Sequence, residues 1–245
     1  LEVVHSSGAV IRRPETGEYT YSMVGANYAT FYSEGFETGA PGWTNGAYAG
    51  TNDWQLGTPA GKSGTSSGVA WQDPLGAAVG SNAYGNDIGQ GNFNGRYPAN
   101  SDSYLRSPSI NCSGRTGVRL RFRRWLSVEE GIYDQARIYV NGALVWQNQA
   151  NGNIQDTSWQ QIDLAIPSAD NTPAVQIEWR LTTDAGLHMG GWHIDEVEVV
   201  ETVVATADCD LTFLPEQAVQ GSLLTMTIET PGNSRPFLLA LGDAI

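Results

Sequence analysis

Ala136-Arg137-Ile138-Tyr139-Val140-Asn141-Gly142-Ala143-Leu144-Val145-Trp146 decides the fold. Before Asn141 the apolar and polar side chains alternate with the period of two that a half-buried strand requires. Asn-Gly reaches the positive φ angles of a type I′ turn at little steric cost, so the chain is predicted to return antiparallel through Ala143-Leu144-Val145-Trp146.

Outward from this hairpin, similar short segments recur between clusters of Gly, Asn, Asp and Pro, and helix-period apolar patterns are almost absent. In Val118-Arg119-Leu120-Arg121-Phe122-Arg123 apolar residues and arginines alternate strictly, which makes one face core and the other wet. Further strands are predicted at 31–37, 103–108, 159–164, 175–181 and 191–200, with an early one at 17–24. The expected fold is an all-β, antiparallel two-sheet jelly-roll sandwich with long loops, plus a short extra β segment at the C-terminus. Residues 1–30 read as an N-terminal extension or the end of a preceding domain, and 31–202 as the sandwich. Residues 203–245, with alternation at 223–228 and 237–241, read as the start of a further β domain or a docked β segment.

From Thr38 to Ser103 the sequence is rich in Gly, Ser and Asn, with brief aromatic pieces around Trp43, Trp54, Trp71 and Tyr84. This stretch is expected to form long loops, which compact domains keep when a ligand or a function organises them.

The composition narrows the function. The 245 residues include 26 acidic and 13 basic side chains, a formal charge of -13 that repels nucleic acid and anionic lipid and leaves carboxylates free for cations. No apolar run approaches the ~20 residues of a membrane helix. The opening LEVVHSSG lacks a basic start and an apolar stretch, so the chain is expected to be a mature or excised piece of a longer polypeptide. Cys112 and Cys209 allow one disulfide or two free thiols and exclude a thiolate metal cluster or a CxxC redox site.

Three passages carry a family resemblance. They are Glu34-Gly35-Phe36-Glu37 with Pro41-Gly42-Trp43-Thr44 and Asp53-Trp54-Gln55-Leu56-Gly57-Thr58-Pro59; Tyr104-Leu105-Arg106-Ser107-Pro108 with Ile110-Asn111-Cys112-Ser113-Gly114; and Gly190-Gly191-Trp192-His193-Ile194-Asp195-Glu196-Val197. Together they resemble the jelly-roll, MAM-like accessory domains of bacterial zinc carboxypeptidases, immune inhibitor A metallopeptidases and choice-of-anchor surface proteins. The resemblance covers 31–200 and implies a non-catalytic accessory or attachment role in a secreted or cell-surface protein. Its partners would be other domains of the same polypeptide or a surface protein. No H-E-x-x-H pattern occurs, and the histidines, His5, His188 and His193, are too scattered for a zinc centre.

Read as an uninterrupted strand, 191–200 sets Asp195 on the face of His193, Val197 and Val199. A carboxylate on a buried face must be compensated by a cation, an arginine or several backbone donors. The resemblance implies Ca2+ there, held by Glu37 of the first strand and Asp195 of the last, with Asp53, Glu34 and Asp87 contributing from loops. Against this stands an ion pair of Asp195 with Arg121 or Arg123, the other acids being solvated.

Other patterns resolve into structural roles. Glu129 and Asp134 invite a paired-carboxylate glycosidase reading, but Asp134 is expected to cap the hairpin strand or support a second ion. Gly64-Thr65-Ser66-Ser67-Gly68 matches G-x-S-x-G yet lacks the strand and helix of a nucleophile elbow, and reads as a loop. Trp125, Trp179 and Trp192 read as core. Trp43, Trp54 and Trp71 are the candidates for stacking on a sugar, the alternative function being a carbohydrate-binding module that targets a hydrolase to polysaccharide. The Arg119, Arg121 and Arg123 stripe is expected to form surface ion pairs, with an acidic-glycan site as the alternative.

Overall fold

The computed structural model describes residues 2–4, 10–12, 20–91, 93–210, 223–230 and 233–240, with side-chain surroundings given within 28–91 and 93–203. In chain order the strands are β1 (Glu2–Val4), β2 (Val10–Arg12), β3 (Thr20–Glu34), β4 (Thr44–Ala49), β5 (Trp54–Gly57), β6 (Ser63–Ser66) and β7 (Val69–Gln72). They continue as β8 (Ala83–Asn86), β9 (Asp102–Arg106), β10 (Arg119–Val128), β11 (Gln135–Val140), β12 (Ala143–Gln147), β13 (Ile154–Gln155) and β14 (Gln160–Ala165). The last four are β15 (Ile177–Thr182), β16 (Gly191–Asp210), β17 (Leu223–Thr230) and β18 (Asn233–Ala240). The chain divides into two units, Tyr28–Thr202 and Leu1–Asn27 with Val203–Ile245. In the smaller unit β1 pairs with β2, and β17 with β18, both antiparallel. The side chain of Cys209 lies outside the described residues; Cys112 is a buried free thiol.

The Tyr28–Thr202 unit is a jelly-roll-like sandwich. One sheet runs β12-β11-β15-β9-β4; the other runs β13-β10-β16-β8-β5, with β14 also paired to β10 and β3 to β16. Leu120, Phe122, Leu126, Ile138, Ile177, Trp179 and Trp192 are fully buried between them. Phe122 meets Trp179 edge to face at 5.5 Å, an arrangement the ring quadrupoles favour. Asn141 and Gly142 adopt φ of 49° and 80°, and Val140 opposes Ala143, so the expected I′ hairpin forms.

Two readings of local sequence are corrected. The 38–103 stretch carries strands β4 to β8 and part of β9. Gly and Ser weaken the alternation there, but tertiary pairing supplies what propensity does not. The Gly64–Gly68 segment is part of the β6–β7 hairpin, turned by Ser67 and Gly68 at φ of 47° and 83°. Ser66 Oγ there accepts a hydrogen bond from the His188 backbone N–H at 3.1 Å.

The second correction concerns Asp195. Arg123 opposes Asp195 and Arg121 opposes Glu198, so the register of β10 and β16 shifts by one residue at a bulge, where Glu196 takes φ of 48°. Trp192 and Ile194 before the bulge, and Val197 and Val199 after it, all join the core. The extra residue thus resets the alternation and turns His193 and Asp195 to the outer face of the seven-stranded sheet. Both are nevertheless fully buried, because the excursion between β5 and β8 lies over them. Trp125 Nε1 donates to Gln72 O at 2.8 Å and Gln155 Nε2 to Ala70 O at 2.9 Å, fastening that cover to the sheet.

Candidate functional site

Glu37 and Asp195 do come to one place, the 78–82 loop entering β8. Asp195 Oδ2 accepts the N–H groups of Ala78 and Val79 at 2.9 and 3.0 Å, and its Oδ1 accepts that of Glu196 at 2.7 Å. Glu37 Oε1 accepts the N–H groups of Ser81 and Asn82 at 2.9 and 2.8 Å. Gly80 is required between them, since a Cβ there would lie 2.5 Å from the Glu37 carboxyl carbon. Four loop N–H groups therefore aim their positive ends at the two carboxylates, and both lone pairs of Asp195 Oδ2 are taken. Backbone donors thus answer the Glu37 and Asp195 carboxylates in this structure. Neither Arg121 nor Arg123 makes an ion pair with Asp195: Arg121 bonds Asp163 at 3.1 Å, alongside Arg119 at 2.6 Å, as surface ion pairing of the stripe predicts. Burial still pushes the Asp195 carboxyl up to about 6, against the lowering effect of its N–H partners. Its neighbour His193, with neither ring nitrogen partnered, is pushed by burial down to about 3 and stays neutral.

The remaining expected ligands do not join that pair. Glu34 Oε1 accepts the Phe36 N–H at 2.8 Å and closes a local turn. Asp53 and Asp87 sit at the other end of β8, where Asp53 Oδ1 accepts Asn86 Nδ2 at 2.9 Å and Asp53 O accepts the Asp87 N–H at 2.9 Å. Sequence spacing alone could not separate the two ends of a strand that loops bring back twice.

Trp43, Trp54 and Trp71 are corrected as stacking platforms: they are 8%, 5% and 6% exposed and belong to the core cluster. Trp43 packs on Phe36 and Trp179, with ring centroids 5.1 and 5.6 Å away. Aromatic rings in a Gly-rich stretch are drawn inward because they supply most of its apolar surface.

Among the described residues, an exposed cluster of tyrosines and arginines lies instead on the outer face of the five-stranded sheet. Strict alternation in β9, β11 and β15 sends Leu105, Ile138 and Trp179 inward and Tyr104, Arg106, Tyr139, Glu178 and Arg180 outward. The register sets Arg180 opposite Tyr104, and Glu178 opposite both Arg106 and Tyr139. Tyr48, 51% exposed, reaches over them from β4. Arg106 Nε donates to Glu178 Oε2 at 2.6 Å, and the Tyr48 hydroxyl donates to the same oxygen at 3.0 Å. Arg180 Nε donates to Asp102 Oδ1 at 2.6 Å, and a second bond joins Nη2 to Oδ2. The Arg180 guanidinium lies 4.3 Å from the Tyr48 ring centre and that of Arg106 4.1 Å from Tyr104. Partial burial, then the Glu178 hydrogen bond, raise the Tyr48 hydroxyl pKa, keeping it a donor. Tyr48, Arg106, Tyr139, Glu178 and Arg180, with Asn141, Gly142 and Gln176, line a groove of about 220 Å³. Its signal was present in the outward positions of three strands, to which the sequence reading assigned no role.

A second acidic cluster joins Glu129, Asp134 and Asp184, one carboxylate oxygen of each lying within 4.8 Å of the others. Asp134 Oδ2 accepts the Tyr97 hydroxyl at 2.7 Å and Oδ1 the Asp184 N–H at 2.8 Å. Burial, then mutual repulsion, raises the Glu129 carboxyl, and burial raises that of Asp134 against the lowering effect of these hydrogen bonds. Asp134 is thus held by two donors within the fold; it does not face Glu129 across an open cleft as a glycosidase pair would.

No protein-family model matches the chain. Bacillopeptidase F of Bacillus subtilis (strain 168) is 28% identical over 174 residues, covering 68% of this chain and 10% of that protein. The chain therefore spans about a tenth of that relative's length. Among solved structures, the K1 cleaved adhesin domain of Lys-gingipain from Porphyromonas gingivalis W83 is similar at a TM-score of 0.45 and 16% identity, over 69% of this chain and 96% of that one. The carbohydrate-binding module TmCBM61, solved with beta-1,4-galactotriose, gives 0.42 and 13% over 68% and 94%. The CBM22-1 xylan-binding domain of Paenibacillus barcinonensis Xyn10C gives 0.38 and 16% over 74% and 99%.

Proposed function

We propose that the Tyr28–Thr202 sandwich is a non-catalytic accessory module of an extracellular protein, and that it holds a neutral polysaccharide on the outer face of its five-stranded sheet. The observation that carries the reading is the charge balance of the aromatic groove. Both arginines that line it are already paired, Arg106 with Glu178 and Arg180 with Asp102, so the lining offers planar rings and oriented polar atoms whose charges are answered. Sugar rings present apolar C–H faces to tyrosine and hydroxyls to such bonded networks. To bind Arg106 or Arg180, an acidic glycan would have to displace Glu178 or Asp102. The extracellular setting rests on the sequence motifs quoted above and on the similarity to Bacillopeptidase F.

Calorimetric titration of the full chain with soluble galactan, xylan and mannan tests this. Saturable binding to at least one is expected, weakened tenfold or more in Tyr48→Ala with an unchanged melting temperature. Silence across the panel from a folded chain would favour attachment to protein instead.

A further inference from the structure

The cover over the seven-stranded sheet encloses a carboxylate that no group among the described residues compensates. Asp73 is 1% exposed, and neither of its oxygens has a hydrogen-bond partner. Two glycines make room for it. A Cβ on Gly190 would lie 1.9 Å from Asp73 Oδ1, and one on Gly95 would lie 2.6 Å from Oδ2. Across Gly190 stands Ser127, also 1% exposed with its Oγ unpartnered; its Cβ is 3.5 Å from the same glycine position. On the Gly95 side, Asp87 Oδ2 accepts the N–H of Asn94, the residue before that glycine, at 3.2 Å. Asp87 is itself buried, and its Oδ1 accepts the Gly89 N–H at 3.1 Å. Each Asp87 oxygen thus keeps a lone pair.

Among the described residues no positive side chain pairs with these acids. The stem of Lys62 packs against Gly89 and Gly95, yet the ion pairs among the described residues include neither Lys62 nor Arg96. A buried carboxylate without donors strongly disfavours folding unless it takes up a proton or a cation. Burial, together with the Asp87 charge, pushes the Asp73 carboxyl up to about 9.

We propose that Asp73, Asp87 and Ser127 form a buried site for a hard divalent cation of the calcium class. Its ligands are all oxygens, as such an ion prefers, and the remaining positions of its shell fall to backbone carbonyls or water. The site ties Asp73 and Asp87 to Ser127 near the end of β10, so an ion there fastens the cover onto the sheet. It is separate from Glu37 and Asp195, whose oxygens face N–H groups, and independent of the glycan reading.

The test uses the full chain, stripped with chelator and titrated with Ca2+ alone, then with Tb3+ under tryptophan excitation. Trp125, bonded to Gln72 O next to Asp73, serves as the sensitiser. One saturable calcium site is expected, with terbium emission that calcium displaces. Asp73→Asn should weaken binding at least tenfold and Ser127→Ala severalfold, while Glu37→Gln and Asp184→Asn bind as the parent does. Should Asp73→Asn fail to fold by circular dichroism, Asp87→Asn with Ser127→Ala decides. Absence of saturable binding at millimolar calcium, parent-like binding by the folded site variants, or loss on Asp184→Asn alone would each overturn the proposal. The last would place the ion at the Glu129 cluster.

Discussion

The outer faces of the two sheets solve opposite problems. On the five-stranded sheet, Arg106, Arg180, Glu178, Asp102 and Tyr48 lie at the edge of water, and their charged groups are paired with one another. On the seven-stranded sheet, the cover buries Asp195, His193, Ser127 and Asp73. There Asp195 is answered by backbone N–H groups, whereas the side chains of His193, Ser127 and Asp73 have no hydrogen-bond partner among the described residues. The difference teaches where to look for ligands. An open polar face satisfies itself and offers a finished surface, while a covered one keeps unpartnered polar groups only at a cost in stability.

That contrast can be broken by substitution. The largest effect is expected for Asp195→Ala, which strands the N–H groups of Ala78, Val79 and Glu196; a loss of about 3 kcal/mol in urea unfolding follows from the cost of orphaned buried donors. Protease cleavage within 77–82 should rise with it, and a loss below about 0.5 kcal/mol would show that the loop needs no carboxylate anchor. Next, Gly190→Ala forces Asp73 Oδ1 from its position and should cost about 2 kcal/mol through overpacking. A neutral result there would mean that the cover is loose. On the open face, Asp102→Asn removes one partner of a partly solvated ion pair and should cost under about 1 kcal/mol, shrinking further in molar salt. A loss matching that of Asp195→Ala would erase the distinction between the two faces.

Legibility in the sequence followed the same division. Strands β9, β10, β11 and β15, and the I′ hairpin at Asn141-Gly142, could be read directly, because one face of each strand is core and the other is wet or polar. The aromatic groove was contained in that alternation, although nothing in one strand announces what lies beside it in the next. The covered face was harder. A bulge at Glu196 inverts the alternation of β16, so reading 191–200 as regular put Asp195 with Val197 and Val199 on the wrong side. Trp43, Trp54 and Trp71 looked like loop residues because Gly and Ser around them hide strands made only by tertiary pairing. Asp73 carried no local signal at all: its isolation depends on Gly95 and Gly190, residues 22 and 117 positions away in the chain.

The sequence by itself determined an all-β sandwich, its turn chemistry, an acidic composition, and which faces of the regular strands are dry. Those properties depend on near neighbours and on period, and near neighbours are what a sequence displays. Only the tertiary structure decided which carboxylates meet N–H groups, which meet arginines and which meet nothing, because compensation of a buried charge is set by whatever distant segments fold across it.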